Sequence, residues 1–427
     1  MPGKLHGDTG QKSYAWVILI VLFIVHLAGF GIRSTFGVYV APWEQEFTIG
    51  RSLVSSISML SFFAFCAGQL IGGKLNDWFG KGIVPAAGVF LMGASLILTS
   101  QADQIWKIII LYGIGFSLGS SISSITVPSA IITNWFVKKR GFALGLIMAG
   151  LAVGQLILAP ASLFLVENIG WRATMTVLGI IMIVAVGPLC LFLIRSKPAE
   201  KGLKPYGYEE SVDSARNPGG IKKEGEKPLP ILGVFKLRLF WQLIIPYFIC
   251  GFTDGGIVLT HLIPIATGRG LTTPIIAIAY SLIAIANIAG TIVTGHLSDH
   301  ISRTRQMAII YTIRAVTYVV LIALNQPWML LLFAAMYGAV EMATIAPINS
   351  LAVQLFDRFP VSIILALVTV SHNIGSAIGA WIPGLLFDFS GSYHSSLVIS
   401  IILLIAAALI ALKTPDPAFA PGPPRHS

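Results

Sequence analysis

Charge is scarce in this chain. Of its 427 residues, only 11% are Asp, Glu, Lys or Arg, against about 25% in a soluble domain. That shortage excludes an ordinary water-soluble globular protein. Cysteine is scarcer still, with Cys66, Cys190 and Cys250 the full set. Each sits in an apolar run, which argues against a disulfide framework and reads as a small buried hydrophobe. Site motifs are missing too. There is no G-x-x-x-x-G-K-[ST] loop, so ATP-driven work has no support. No Cys/His group has metal-ligand spacing, so no metal site is expected from the sequence. No G-x-S-x-G elbow or similar nucleophile motif appears, and the chain is not expected to be an enzyme or to need a cofactor.

What is present is apolar length. The chain is 55% hydrophobic, with a mean hydropathy of +0.83. Runs of ~20 apolar residues recur, each long enough to cross a ~30 Å hydrocarbon core as a helix. Twelve are legible: 15–40, 53–73, 82–101, 104–131, 142–166, 172–194, 239–265, 274–297, 306–324, 328–353, 362–386 and 395–412. The first is too long for a signal-peptide core, and no A-x-A-like cleavage site follows it. The expected fold is therefore all-α and polytopic. It divides into a six-helix half (1–194), a polar linker (195–238) read as solvated and cytoplasmic, and a second six-helix half with a short tail (239–427).

The net charge of +10 does not indicate nucleic acid. With both termini placed inside, 22 of the 28 Lys and Arg fall on the inner side. Ten lie in the 195–238 linker, and Lys138, Lys139 and Arg140 lie in the loop between spans four and five. Arg51, Lys107, Arg172 and Arg269 fall outside, and Arg33 and Arg314 fall within spans. This is the positive-inside asymmetry, which sets orientation. It suits a bacterial inner membrane with cytoplasmic termini and requires no protein partner.

Motifs recur between the halves. "GGKLNDWFGKG" follows span two and "GHLSDHISRTR" follows span eight, so Gly73, Leu75 and Asp77 match Gly295, Leu297 and Asp299 at an offset of 222. Gly29-Phe30 matches Gly251-Phe252 at the same offset, and Gly154 matches Gly375 at 221. Near-constant spacing implies an internal duplication, and parallel six-helix repeats are a transporter architecture.

Both G-x-L-x-D loops resemble the signature loop of the major facilitator superfamily, and the likeness extends over essentially the whole chain. That resemblance implies alternating access of two halves. It also implies that Gly73, Asp77, Gly295, Asp299 and Arg303 latch the inner helix ends. "NWFVKKRGFALGLIMAGLAVGQ" (134–155) and "FGIRSTFGVYV" on span one further resemble the monocarboxylate transporters and their bacterial oxalate/formate relatives. Many members of that group carry an arginine on span eight, often with an aspartate a turn away. Here span eight has neither, and its most polar residues are Tyr280, Asn287 and Thr291.

An ionisable group at mid-membrane costs at least ~2.5–3.5 kcal/mol, so it faces a partner or a watery cavity. Arg33 lies ~27 Å up span one at 1.5 Å per residue. Its planar fork suits a carboxylate; the alternatives are snorkelling to headgroups or a permanent ion pair. Asp254 on span seven comes to a similar depth, as the countercharge of Arg33 or a proton acceptor. His261 follows one face along as a relay or an interfacial histidine, and His26 is shallower. His372, ~16 Å into span eleven, is a substrate or proton candidate. Arg314 and Glu341 read as a structural ion pair, with Glu341 as a minority proton carrier. Tyr112 and Asn287, with Tyr280, are candidate hydrogen-bond partners of substrate.

The expectation is a secondary active transporter in the lipid bilayer, energised by a proton or ion gradient. Its substrate would be a small organic anion of the lactate, pyruvate or formate type, carried with a proton. The rivals are a proton-coupled drug or amphiphile exporter, an anion exchanger, and a membrane sensor using the 195–238 loop.

Overall fold

A backbone in hydrocarbon must satisfy its own N–H and C=O groups, and a helix does so within one segment. The computed structural model describes residues 5–79, 82–124, 126–208, 229–298 and 300–419; the side chains of residues 5–13, 77 and 126 lie outside that description. Nearly all described residues are helical, and the one strand-like feature among them is an isolated bridge between Phe136 and Tyr206.

Eleven helical segments among the described residues are long and apolar enough to cross a bilayer. They supply spans one (Tyr14–Phe47), two (Arg51–Asn76), three (Ile83–Ser100) and four (Ile105–Trp135). Spans five and six share the 54-residue segment Arg140–Leu193. Seven to twelve are Arg238–Gly268, Thr273–Leu297, Arg303–Ile322, Pro327–Leu355, Val361–Ser390 and His394–Lys413. At 1.5 Å per residue the doubled segment is far longer than a ~30 Å core. It breaks at Gly170, whose φ of 79° and ψ of 164° are open to glycine and strained for other residues. That break restores the twelve crossings expected.

The chain forms two compact units. One comprises Met1–Ser34, Ala64–Leu158 and Leu165–Lys227; the other comprises Thr35–Phe63, Ala159–Phe164 and Pro228–Ser427. The division does not follow the two halves of the sequence. The loop joining spans one and two, with the adjoining helix ends, belongs with spans seven to twelve. Within that unit, Ser58 shares a 2.9 Å hydrogen bond with Thr260. Phe62 packs on Ala377 and Ala380.

The internal repeat is visible as a backbone contact. In the first unit, a Cβ on Gly154 of span five would overlap the Leu27 carbonyl and reach Gly31 N at 3.1 Å. In the second, a Cβ on Gly375 of span eleven would overlap the Phe248 carbonyl and reach Phe252 N at 3.1 Å. All three pairs of positions differ by 221. Small residues let helices approach to backbone contact in the membrane, and both halves use the same device.

The described ends of the linker are mostly exposed, with a few fixed attachment points. Residues 209–228 lie outside the described residues. Tyr206 N donates to Trp135 O at 2.7 Å, and the Trp135 indole donates to Arg195 O at 2.6 Å. Trp16, Phe136 and Tyr206 meet edge to face or tilted, with ring centroids 5.5–6.0 Å apart. Tyr206 provides the apolar area that holds this segment against span four. On the other side, Leu229 N donates to Arg358 O at 2.9 Å.

Candidate functional site

Span seven is not a uniform helix. Arg238–Gly251 is α-helical, Phe252–Val258 is π-helical, and Leu259–Gly268 is α-helical again. An inserted residue of this kind re-aims side chains and marks functional places in helices. Asp254 lies in the π-helical turn. One of its oxygens accepts the Tyr337 hydroxyl at 2.5 Å, and the other is 3.8 Å from His372 Nε2. His372 comes from span eleven and packs its ring on Tyr247 at 4.8 Å. Thus Asp254 has an imidazole partner within its own unit, a counter-charge when that histidine is protonated. The two side chains keep 19% and 23% exposure, so the pair is not sealed inside the protein.

Span eleven can bring His372 this close because glycine lines the helix contact. A Cβ on Gly251 would overlap the His372 carbonyl, and a Cβ on Gly256 would meet Gly379 C at 2.5 Å. A Cβ on Gly255 would lie 2.6 Å from Ser376 Oγ.

Arg314 and Glu341 are joined through main chain. The buried guanidinium donates to the carbonyls of Val340 and Glu341 at 2.9 and 2.8 Å, and to Cys250 Sγ at 3.0 Å. The Glu341 carboxylate instead accepts the Asn287 amide at 2.7 Å, and Thr291 donates to Asn287 Oδ1 at 3.2 Å. In place of the side-chain ion pair expected, Arg314 fastens span nine to spans seven and ten, and the acid of Glu341 is held by span eight. Tyr280 is buried on that span, its hydroxyl without a hydrogen-bond partner among the described residues.

Arg33 ends the first helix, Leu5–Arg33, before the chain turns at Ser34-Thr35 and resumes as Phe36–Phe47. It is buried, with its guanidinium 4.2 Å over the Phe65 ring. Cation–π contact of this kind is strengthened by desolvation. The snorkelling alternative does not describe this side chain. Tyr112 is buried in the π-helical turn Ile109–Phe116, stacked on Phe116 at 5.0 Å. His26 is buried, with Nδ1 3.1 Å from the Leu22 carbonyl of its own helix.

His261, read as a relay or a satisfied interfacial histidine, has both ring nitrogens engaged. One ring nitrogen meets the Ala380 carbonyl at 2.7 Å and the other meets the Tyr393 hydroxyl at 2.9 Å. Tyr393 in turn accepts from Arg51 at 3.2 Å. Arg51 grips Glu44 by two hydrogen bonds of 2.6 and 2.7 Å and stacks 3.8 Å over Phe387. Both oxygens of Asp388 accept the backbone N–H groups of Arg51 and Ser52, at 2.8 Å each. This cluster ties the loop between spans one and two to spans seven, eleven and twelve.

Of the latch residues, Asp299 and the Asp77 side chain lie outside the described residues. Gly73 and Gly295 are helical, and nothing lies within 4 Å of a Cβ placed on Gly295. Arg303 has definite partners. Its backbone N–H donates to Asp416 at 2.7 Å, and its side chain reaches Asp416 at 3.5 Å and Gln354 at 2.7 Å.

Tyr337, Cys250, Asp388, Tyr393 and Asp416 escape a reading of the sequence. The glycines that bring spans seven and eleven together near His372 read in the sequence only as matches of the internal repeat.

The family model of the Major Facilitator Superfamily matches residues 21–359, and the chain belongs to that superfamily of membrane transporters. Its relatives are diverse. It is 25% identical over 414 residues to an uncharacterized MFS-type transporter, YcxA, of Bacillus subtilis, covering 93% of this chain and 94% of that one. Rat monocarboxylate transporter 13 is 22% identical, covering 94% and 89%. The agnestins efflux protein AgnL12 of Paecilomyces divaricatus is also 22% identical, covering 96% and 89%. In fold, the chain matches a solved bacterial homologue of the human lysosomal transporter Spinster, inward-facing and unoccupied. The TM-score is 0.70 at 15% identity, covering 94% of this chain and 97% of that one.

Proposed function

We propose that this chain carries a small monocarboxylate across a bacterial inner membrane, with a proton, by alternating access. The observation that carries the reading is the Asp254–His372 pair. It sets a carboxylate and an imidazole, cationic when protonated, 3.8 Å apart inside apolar spans, with neither side chain fully buried. A substrate carboxylate competes for His372. Asp254 is then left without its counter-charge, a cost that taking up a proton removes. Anion and proton so move together. Arg33 is a second cationic site suited to a carboxylate. The relationship to a monocarboxylate transporter supports the substrate class.

The test is uptake of labelled lactate into proteoliposomes, with and without an inward proton gradient. Wild type should accumulate it only with the gradient. Arg33→Ala and His372→Gln should each lower uptake by about tenfold or more, the cost of one charge-assisted hydrogen bond of ~1.5–3 kcal/mol. Equal uptake in wild type and Arg33→Ala removes Arg33 from the substrate site. No uptake of any monocarboxylate removes the substrate class. The relationship to an efflux protein favours a second reading, export of an amphiphile. Proton-driven expulsion of a dye from cells, lost in Asp254→Asn, would support it.

A further inference from the structure

We propose that Cys250, Asp254 and His372 form a binding site for a borderline-soft divalent cation, of the Zn²⁺ class. A Cys250 sulfur, an Asp254 oxygen and a His372 ring nitrogen all lie within 4.8 Å of one another. No spacing in the sequence announces the site, because two ligands come from one turn of span seven and the third from span eleven.

The donors are chemically selective. Thiolate, imidazole and carboxylate together suit Zn²⁺ or Co²⁺ and are a poor set for Mg²⁺ or Ca²⁺, which take oxygen ligands. Zinc sits ~2.3 Å from sulfur and ~2.0–2.2 Å from nitrogen or oxygen, so tetrahedral donors stand about 3.3–3.8 Å apart. The donors, within 4.8 Å of one another, stand wider than that spacing, so binding requires the side chains to rotate inward. A water or substrate oxygen takes the fourth position. Thiolate and carboxylate together balance the charge of the dication, and binding releases the thiol proton.

The surroundings are ordered as a metal site requires. Arg314 donates to Cys250 Sγ at 3.0 Å, and Tyr337 donates to Asp254 at 2.5 Å. Outer-shell hydrogen bonds of this kind orient ligands. The glycine contact between spans seven and eleven fixes the two backbones that carry the donors. Asp254 and His372 are only partly buried, so their donor atoms are not sealed off from an incoming ion.

An ion there would bridge spans seven and eleven and occupy the pair proposed to couple proton and anion. It should therefore inhibit transport. Inhibition rests on that functional reading; the binding itself does not.

The test uses purified protein in detergent, with Co²⁺ as the spectroscopic probe. Wild type should develop the near-ultraviolet sulfur-to-cobalt absorption, displaced by Zn²⁺. Cys250→Ser retains volume and a hydrogen-bonding atom, so it should fold, and it should lose the band. Cys66 and Cys190 remain in that variant as internal controls. His372→Gln should weaken Co²⁺ binding by at least the roughly tenfold to hundredfold that an outer-shell partner costs. No band in wild type, or the same band in Cys250→Ser, overturns the site. In the uptake assay, Zn²⁺ should inhibit wild type and spare Cys250→Ser, which is outside the proposed transport machinery. A cobalt band without any monocarboxylate uptake would retain the metal site and reject the substrate reading.

Discussion

At the scale of single residues, the decisive point is which acidic group is free to exchange a proton. Glu341 is held by the Asn287 amide at 2.7 Å in a buried setting. Asp254 shares its space with a partly exposed histidine at 3.8 Å. We therefore expect Asp254→Asn to abolish gradient-driven accumulation while retaining exchange of labelled for unlabelled substrate across the bilayer. Accumulation that persists in this variant would assign coupling elsewhere, with Glu341 next in line. The same scale explains His261. With both ring nitrogens engaged at 2.7 and 2.9 Å, His261→Ala should lower the melting temperature by leaving the Tyr393 hydroxyl short of a partner. A buried unpaired polar group costs ~1–3 kcal/mol. A melting temperature equal to wild type would show that this network contributes little.

At the scale of elements, glycine decides how close helices come. A methyl group at Gly251 has no room beside the His372 carbonyl, whereas nothing lies within 4 Å of a Cβ at Gly145. Gly251→Ala should destabilise by about 1–3 kcal/mol, the usual cost of overpacking. Gly145→Ala should be neutral or gain up to ~1 kcal/mol of helix propensity. Thermal unfolding in detergent compares the two, and equal shifts would deny the close contact. Twelve spans and their repeat were legible because bilayer thickness imposes a fixed apolar length and duplication leaves matched glycines. The π-helical turn around Asp254 was not, since a one-residue insertion within an apolar run leaves the hydropathy unchanged.

At the scale of the molecule, the loop between spans one and two is fastened to spans seven, eleven and twelve through Arg51, Asp388 and Tyr393. The positive-inside orientation expected from the sequence would make this the outer end. Alternating access requires such a closure to open. Arg51→Ala, made in a protein whose native cysteines are replaced and which carries Ser58→Cys, should raise labelling from outside by a membrane-impermeant maleimide. Position 58 is buried beside Thr260, so it reports opening. Labelling unchanged by Arg51→Ala would mean that Arg51 does not hold this end closed.

The sequence by itself determined that this is a helical membrane protein of two duplicated halves, and which ionisable residues lie inside apolar spans. Those features follow from length, hydropathy and spacing, properties local to the chain. Partnership is a different matter. Asp254 to His372 and Tyr337, Arg314 to main-chain carbonyls in place of the Glu341 acid, and Arg51 to Asp388 all join residues far apart in the chain. They depend on the rotation and closeness of packed helices, which glycines on two surfaces and a π-helical turn set together, and only the tertiary structure decided them.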